Sequence, residues 1–512
     1  MAVAKVSRIF VLFQFIMSRL LLSVIALCLW INVSAQNPKD TLFAQVGIGY
    51  LGSNAEFMPF LLEHNRWGIV APEQPSFIEG EVRYGKSFSN KWFVQAGTYF
   101  RNDRINEYYA TASYDFLDLT FGAKRTVIGG IESDLMMVNY GMGRNAAPAP
   151  MVEFSMNRYV DVPFTNGIVK FKARIGHRWL EENRYQSRAL MHNKDLYVLF
   201  DFKKSIGWEI STGLVHVAQY GGTSPWGLEQ PKDFSTFMDV FFGRGAGEGP
   251  GTAGENNGRG NHLGMHEIMF KKYIGDHELT LDYQSPFEDG GSMQYVSFKN
   301  FLLALNWKPS KKINWLNEVQ VEYTQTLRQS GPGLPDATPN FPDEDANFGN
   351  EFGGRDDYHN NWLYRNGYTY KGLIMGNPLF LTHDWTMNFL APYKAYDVSV
   401  SSNRIQAWVA SVQGSISSKF SYRVQYVRSR HFGSYKGLYD GRFNWGGIQQ
   451  DPNYEYPFWP SKTQHSSLAS LSYFEPFGFK NVTFTTLFGY DFGELYENVG
   501  AELSLKYTLM NN

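Results

Sequence analysis

The segment from Tyr358 to Tyr368, Y-H-N-N-W-L-Y-R-N-G-Y, holds the residue types that bind sugars. Flat aromatic faces pack on the C–H patches of a sugar ring, and amide or guanidinium groups between them bond its hydroxyls. Tyr358, Asn361, Trp362, Tyr364, Arg365 and Tyr368 are therefore the candidate carbohydrate-binding residues. The same aromatics, placed at a membrane interface, would instead form a girdle. Arg244, Arg259, Arg355 and Arg365 would attract an acidic polymer, unless they are simply solvated loop residues.

Other chemistries find less support. The glycine-rich run between Phe242 and His262 lacks the Gly-Lys-Ser/Thr ending of a phosphate loop and opens no evident helix. Asp343, Glu344, Asp345 and Asn347 are oxygen donors, but their spacing misses the calcium-loop pattern. No paired-histidine helix motif or cysteine pair suggests zinc, and no Gly-x-Ser-x-Gly elbow places a nucleophile. No cofactor, metal or catalytic residue is expected. His177, His192 and His216 fall near strand ends, where a hydrogen-bonding role inside a lumen is expected.

The elements that must carry such a segment are strands. In Gly500 to Leu509, Ala501, Leu503, Leu505, Tyr507 and Leu509 alternate with Glu502, Ser504, Lys506 and Thr508. Side chains of a strand point to opposite faces with period two, so one face here is apolar and the other polar. The pattern recurs at Ile78–Gly85, Val169–Ile175, Val319–Thr324 and Phe420–Tyr426. An apolar exterior around a polar interior suits lipid on one side and a wet lumen on the other. Aromatics reach 16% while mean hydropathy is only −0.34, as barrel strands with interfacial girdles require. The net charge of −2 gives no footprint for nucleic acid.

The N-terminus reads as a secretion signal over residues 1–35. Lys5, Arg8 and Arg19 precede the apolar run Leu20–Trp30, and Val33-Ser34-Ala35 forms a small-residue cleavage site. Residues 36–512 would then be a single outer-membrane domain without cysteine, because Cys28 lies inside the signal. At roughly 25 residues per strand with its connection, about 16 to 20 strands are expected. The fold class is thus all-β: a transmembrane antiparallel barrel with a polar lumen and long extracellular loops. Leu327–Asn361 and Phe242–His262 are the longest such loops, whereas Asn54–Trp67 breaks the alternation and reads as a short helix or an inward-turned segment.

Several segments, in order, resemble the Wzi family of capsule-assembly outer-membrane proteins. They are Gly141–Val152 (G-M-G-R-N-A-A-P-A-P-M-V), Leu190–Lys194, His216–Gly222, Tyr283-Gln284 with Glu288–Gly290, Glu322–Thr326, Tyr358–Leu379, Asn403-Arg404 and Asp491–Gly493. The resemblance implies an 18-stranded, non-enzymatic lectin that holds capsular or exopolysaccharide at the cell surface. It also implies a periplasmic helical bundle near the N-terminus. This chain departs there, because Leu42–Tyr50 already reads as a strand. A diffusive porin and an outer-membrane hydrolase remain the alternatives. Expected partners are the polysaccharide, outer-membrane lipid and lipopolysaccharide, and the barrel-assembly machinery.

Overall fold

The computed structural model describes residues 40–244, 259–288, 299–311, 313–327, 329, 357–390, 399–434, 443–444, 447–448, 457–458 and 460–511. The expected signal at 1–35, Cys28, most of both long loops, Arg355 and the acidic set at 343–347 lie outside these residues.

The alternating segments become the staves of a closed antiparallel barrel. In chain order these are β1 (Thr41–Ser53), β2 (Ser76–Ser87), β3 (Trp92–Arg101), β4 (Arg104–Tyr114), β5 (Leu117–Ala123) and β6 (Met151–Met156, resumed at Val160–Asp161). There follow β7 (Val169–Trp179), β8 (Leu190–Phe202), β9 (Trp208–Tyr220), β10 (Asn261–Ile274), β11 (His277–Phe287) and β12 (Phe301–Lys308). The last are β13 (Glu318–Gln325), β14 (Ile405–Ser417), β15 (Phe420–His431), β16 (Lys462–Phe474), β17 (Val482–Gly493) and β18 (Asn498–Asn511). Each stave pairs with the next, and β1 pairs with β18 through Ile48↔Leu505 and Tyr50↔Leu503, so the sheet has no open edge. Closure satisfies every ladder within the sheet, the condition for crossing lipid with strands. Eighteen positions fall within the range expected from the sequence.

Facing follows the alternation. Leu503 is 46% exposed on the outer wall and Ser504 4% exposed on the inner one. Ile48, Val94, Leu196, Leu305, Trp408 and Phe488 extend the apolar belt around the exterior. Leu503→Arg should therefore destabilise the assembled barrel by about 2–4 kcal/mol if the residue sits near mid-bilayer, whereas Leu503→Phe should be tolerated. Loss of the folded band on a heat-modifiability gel for the arginine variant alone would bear this out; equal loss for both would not.

Thr41, Asn511 and the turns 88–91, 115–116, 275–276 and 418–419 share one end, which short turns mark as periplasmic. The opposite end carries the connections 54–75, 124–150 and 180–189 and the described parts of the connections after β9 and β13. Segments 54–75, 124–150 and 357–390 turn inward and fill the upper lumen. The first contains the short helix Phe60–Glu63, so Asn54–Trp67 is both an inward turn and a helix. Their apolar residues, among them Leu61, Leu62, Val138, Tyr140, Phe380 and Trp385, form a core inside the barrel with Met191, Val217 and Leu302 from the strands.

Candidate functional site at the extracellular mouth

The polar inner wall is explained by what it grips. Buried strand carboxylates accept hydrogen bonds from the backbone of the inward segments. Glu322 accepts from the N–H groups of Met137 and Val138 at 2.9 and 2.8 Å, and Glu267 from Gly130 at 2.6 Å. Asp491 accepts from the Phe60 N–H at 2.6 Å, and Arg66 pairs with Glu502 at 2.9 Å. Inside low-dielectric surroundings, a charged acceptor shared by two N–H groups is a strong tether.

The inward segments also lock to one another. The Asn65 N–H donates to Asn145, the Gly143 N–H to the Met375 carbonyl, and the Tyr368 hydroxyl to the Gly141 carbonyl at 3.0 Å. At Gly141 the chain passes so close to its own strand-like partner that a Cβ would lie 2.2 Å from the Ile128 carbonyl oxygen, so only glycine fits. Below this plug lies a cavity of about 610 Å³, lined by Lys172, Arg174, Asp195, Glu209, Lys271 and Glu278 of the periplasmic half.

The candidate sugar-binding residues divide within this frame. Tyr358, Tyr364 and Tyr368 are buried and belong to the plug core. The Tyr364 hydroxyl faces the Gly221 carbonyl, and the Tyr358 hydroxyl faces the Pro286 carbonyl. Asn361 shapes the turn, its Oδ1 accepting from the N–H groups of Leu363 and Tyr364 while its amide donates to Asn261. Trp362, 45% exposed, and Arg365 remain at the surface. The six are thus not one platform: three tyrosines hold the segment down so that Trp362 and Arg365 stand at its crest.

Two residues not singled out from the sequence complete the surface there. The Arg365 guanidinium lies 4.3 Å from the Tyr185 ring centroid and 5.7 Å from that of Trp226. The two rings meet edge to face at 5.8 Å, and Trp226 is 76% exposed. The 180–189 connection is fixed to the plug by the Tyr185 N–H donating to Asn366 and by the buried Arg184 donating to the carbonyls of Gly367 and Thr369. Trp226 sits in the turn G-G-T-S-P-W-G, where a solvent-facing tryptophan is the one local signal of a contact surface. Among the other arginines, Arg259 bonds Thr236 and faces Asp239, and Arg244 lies over the Phe242 ring.

Histidine placement differs from the expectation. His177, His192 and His216 share strand parity with the outward Ile175, Leu196 and Leu214, not with the lumenal Arg178, Asn193 and Val217. They face outward, where the helix Phe234–Phe242 covers His177 and His192 and where His216 stacks on His262. The Ser402–His431–Ser429 contacts, the kind of pairing a hydrolase would need, are buried beneath the loops and present no open face for substrate.

Closed staves, an apolar outer belt and a polar inner wall define a β-barrel of the bacterial outer membrane. Among solved structures, the chain is similar to Wzi from Escherichia coli, described as an outer-membrane, carbohydrate-binding β-barrel involved in group 1 capsule assembly. That likeness has a TM-score of 0.53 at 12% identity, over 90% of this chain and 83% of that one. It is also aligned with OprD from Pseudomonas aeruginosa, with a TM-score of 0.42 at 10% identity over 92% and 93% of the two chains. OmpT from Vibrio cholerae aligns with a TM-score of 0.36 at 9% identity over 92% and 97%. No family model and no curated protein matches the chain. At such identities the likeness is one of fold.

Proposed function

We propose that this protein is a non-enzymatic, polysaccharide-binding barrel of the Wzi type that holds capsular or exopolysaccharide at the cell surface. The observation that carries the reading is the Tyr185–Trp226–Arg365 cluster, raised with Trp362 above a lumen that the inward segments fill. Aromatic faces suit sugar rings, and a guanidinium beside them suits the carboxylate of an acidic sugar. A filled upper lumen also disfavours the diffusive porin, which needs a continuous aqueous path. The affinity of such a surface for a polymer multiplies over repeated units, so modest single contacts suffice.

Trp226→Ala with Arg365→Ala should leave the barrel folded but shift polysaccharide from cells to medium several-fold. Both residues are surface groups, which avoids the plug damage that truncating Tyr364 would cause. The comparison is cell-bound against released polysaccharide at equal amounts of folded barrel. Retention by the double variant would move the site elsewhere on the mouth. Retention by a complete deletion would end the anchoring reading, and a steady open conductance of the purified protein would favour the porin.

A further inference from the structure

The outer wall near the extracellular ends of β7–β10 carries a cluster of imidazoles above an apolar belt. His177 pairs across to His192, His192 to Ala218 and Ala218 to His262, a row spanning four strands. In the adjoining row Lys194 stands opposite His216, whose Nε2 lies 2.9 Å from His262 Nδ1. Left bare, such a patch would place polar nitrogens against lipid, which is costly.

The helix Phe234–Phe242 covers it. Its start is set by Asp233, whose side chain accepts from the Thr236 N–H at 2.8 Å, and its end by Gly243 in the left-handed conformation at φ 63°. Val240 is fully buried against Ala218 and Tyr220, the small alanine in the histidine row leaving it room. The Phe237 and Phe241 rings lie 5.3 and 5.2 Å from His192. The Lys194 ammonium lies 4.0 Å from the Phe241 ring centroid and donates to the Phe241 carbonyl, one of the free carbonyls at the helix end.

One stripe of this helix is thereby used. A second stripe, Phe234, Met238 and Phe242 at positions i, i+4 and i+8, points away from the wall. Phe234 is 76% and Phe242 55% exposed, values a solvated helix does not invite. On the same strands, Ile175, Leu196, Phe200, Ile268 and Phe270 carry the lipid belt directly below, and the helix continues that surface. Its apolar outer stripe and its place at the rim are those of an interfacial helix.

We propose that the Phe234–Phe242 helix is an interfacial anchor whose Phe234–Met238–Phe242 stripe lies in the headgroup–acyl boundary of the outer leaflet. Its inner stripe keeps the histidine row out of the same lipid. The occupant of the exposed stripe is lipid, not a protein partner.

The test uses the full barrel with Cys28→Ser, which removes the only cysteine. It is reconstituted in phosphatidylethanolamine–phosphatidylglycerol vesicles, with single nitroxide labels at Phe234→Cys or Phe242→Cys. Both labels should be more accessible to oxygen than to a water-soluble nickel complex, as at Leu196→Cys on the belt, with the reverse at Asp103→Cys on an outer turn. Water-like accessibility at 234 and 242 would overturn the proposal. So would dipolar broadening between labels on two barrels, which would assign the stripe to a second copy. If labelling blocks assembly, photoactivatable lipids on the unmodified protein decide. Adducts on the 229–244 peptide support the anchor, and adducts confined to belt peptides overturn it.

Discussion

Replacing Glu322 with leucine should unlatch the 124–150 segment from the lumen and raise the conductance of the barrel above that of the parent. Glu322 is fully buried on β13 and accepts from Met137 and Val138 at once, with the Gln320 amide donating to the same carboxylate at 2.7 Å. Leucine keeps the approximate volume and removes every acceptor. Two buried backbone N–H groups would then lack partners, at about 1–3 kcal/mol each, or about 2–6 kcal/mol in all. Strand pairing through Ala304↔Glu322 and Glu322↔Val409 uses backbone atoms, so the barrel itself should close. Glu322→Gln should lie between, because one carbonyl oxygen still accepts while its NH₂ group opposes the second N–H. Conductance in planar bilayers, with protease cleavage within 124–150, measures the effect. A leucine variant with the conductance and the protection of the parent would show that Glu322 does not hold the plug.

This tether shows how far residue order speaks for the lumen. Val319, Val321 and Tyr323 opposing Gln320, Glu322 and Thr324 gave the facing of β13 directly, because period two is a local property of the backbone. That the inward carboxylates bind backbone rather than water was not legible. It depends on Met137 and Val138, which lie far away in sequence. Tyr358, Tyr364 and Tyr368 failed as surface candidates for a related reason. A loop rich in Tyr and Asn reads the same whether its rings meet sugar or a plug core, and only the partners Gly221, Pro286 and Gly141 decide. The outward histidines follow the strand parity already visible in Ile175 and Leu196. Their cover is encoded in a separate connection, so a polar place in the lumen was expected for them instead. Tyr185 and Trp226 meet Arg365 only because three connections converge at the mouth.

The plug also carries a balanced pair of titrations at the helix Phe60–Glu63, and removing one side should expose the other. The His64 ring is stacked 4.2 Å from Phe60 and meets Trp385 edge-on at 4.6 Å. Burial, opposed by a weaker backbone contact with Phe60, pushes it from 6.5 down to about 3. Glu63 beside it is pushed from 4.5 up to about 7, first by burial and then by the charge of Glu73. A lowered imidazole stabilises the docked segment at high pH, and that contribution is lost as pH falls from 6.5 towards about 3. A raised carboxyl does the reverse: its contribution is present below pH 4.5 and is lost as pH rises towards about 7. Between pH 4.5 and 6.5 the two slopes oppose each other, each about 1.4 kcal/mol per pH unit, so the contributions of Glu63 and His64 nearly cancel there. Glu63→Gln deletes the carboxyl slope. On acidification from pH 6.5 to 4.5 the His64 contribution to docking in this variant should fall by about 3 kcal/mol. His64→Leu should tilt the other way and weaken as pH rises across the same window. Hydrogen exchange of the amides in 54–67, corrected for intrinsic rate at each pH, reads both slopes. A level profile in Glu63→Gln would mean that the buried ring at 64 takes no part in holding the segment.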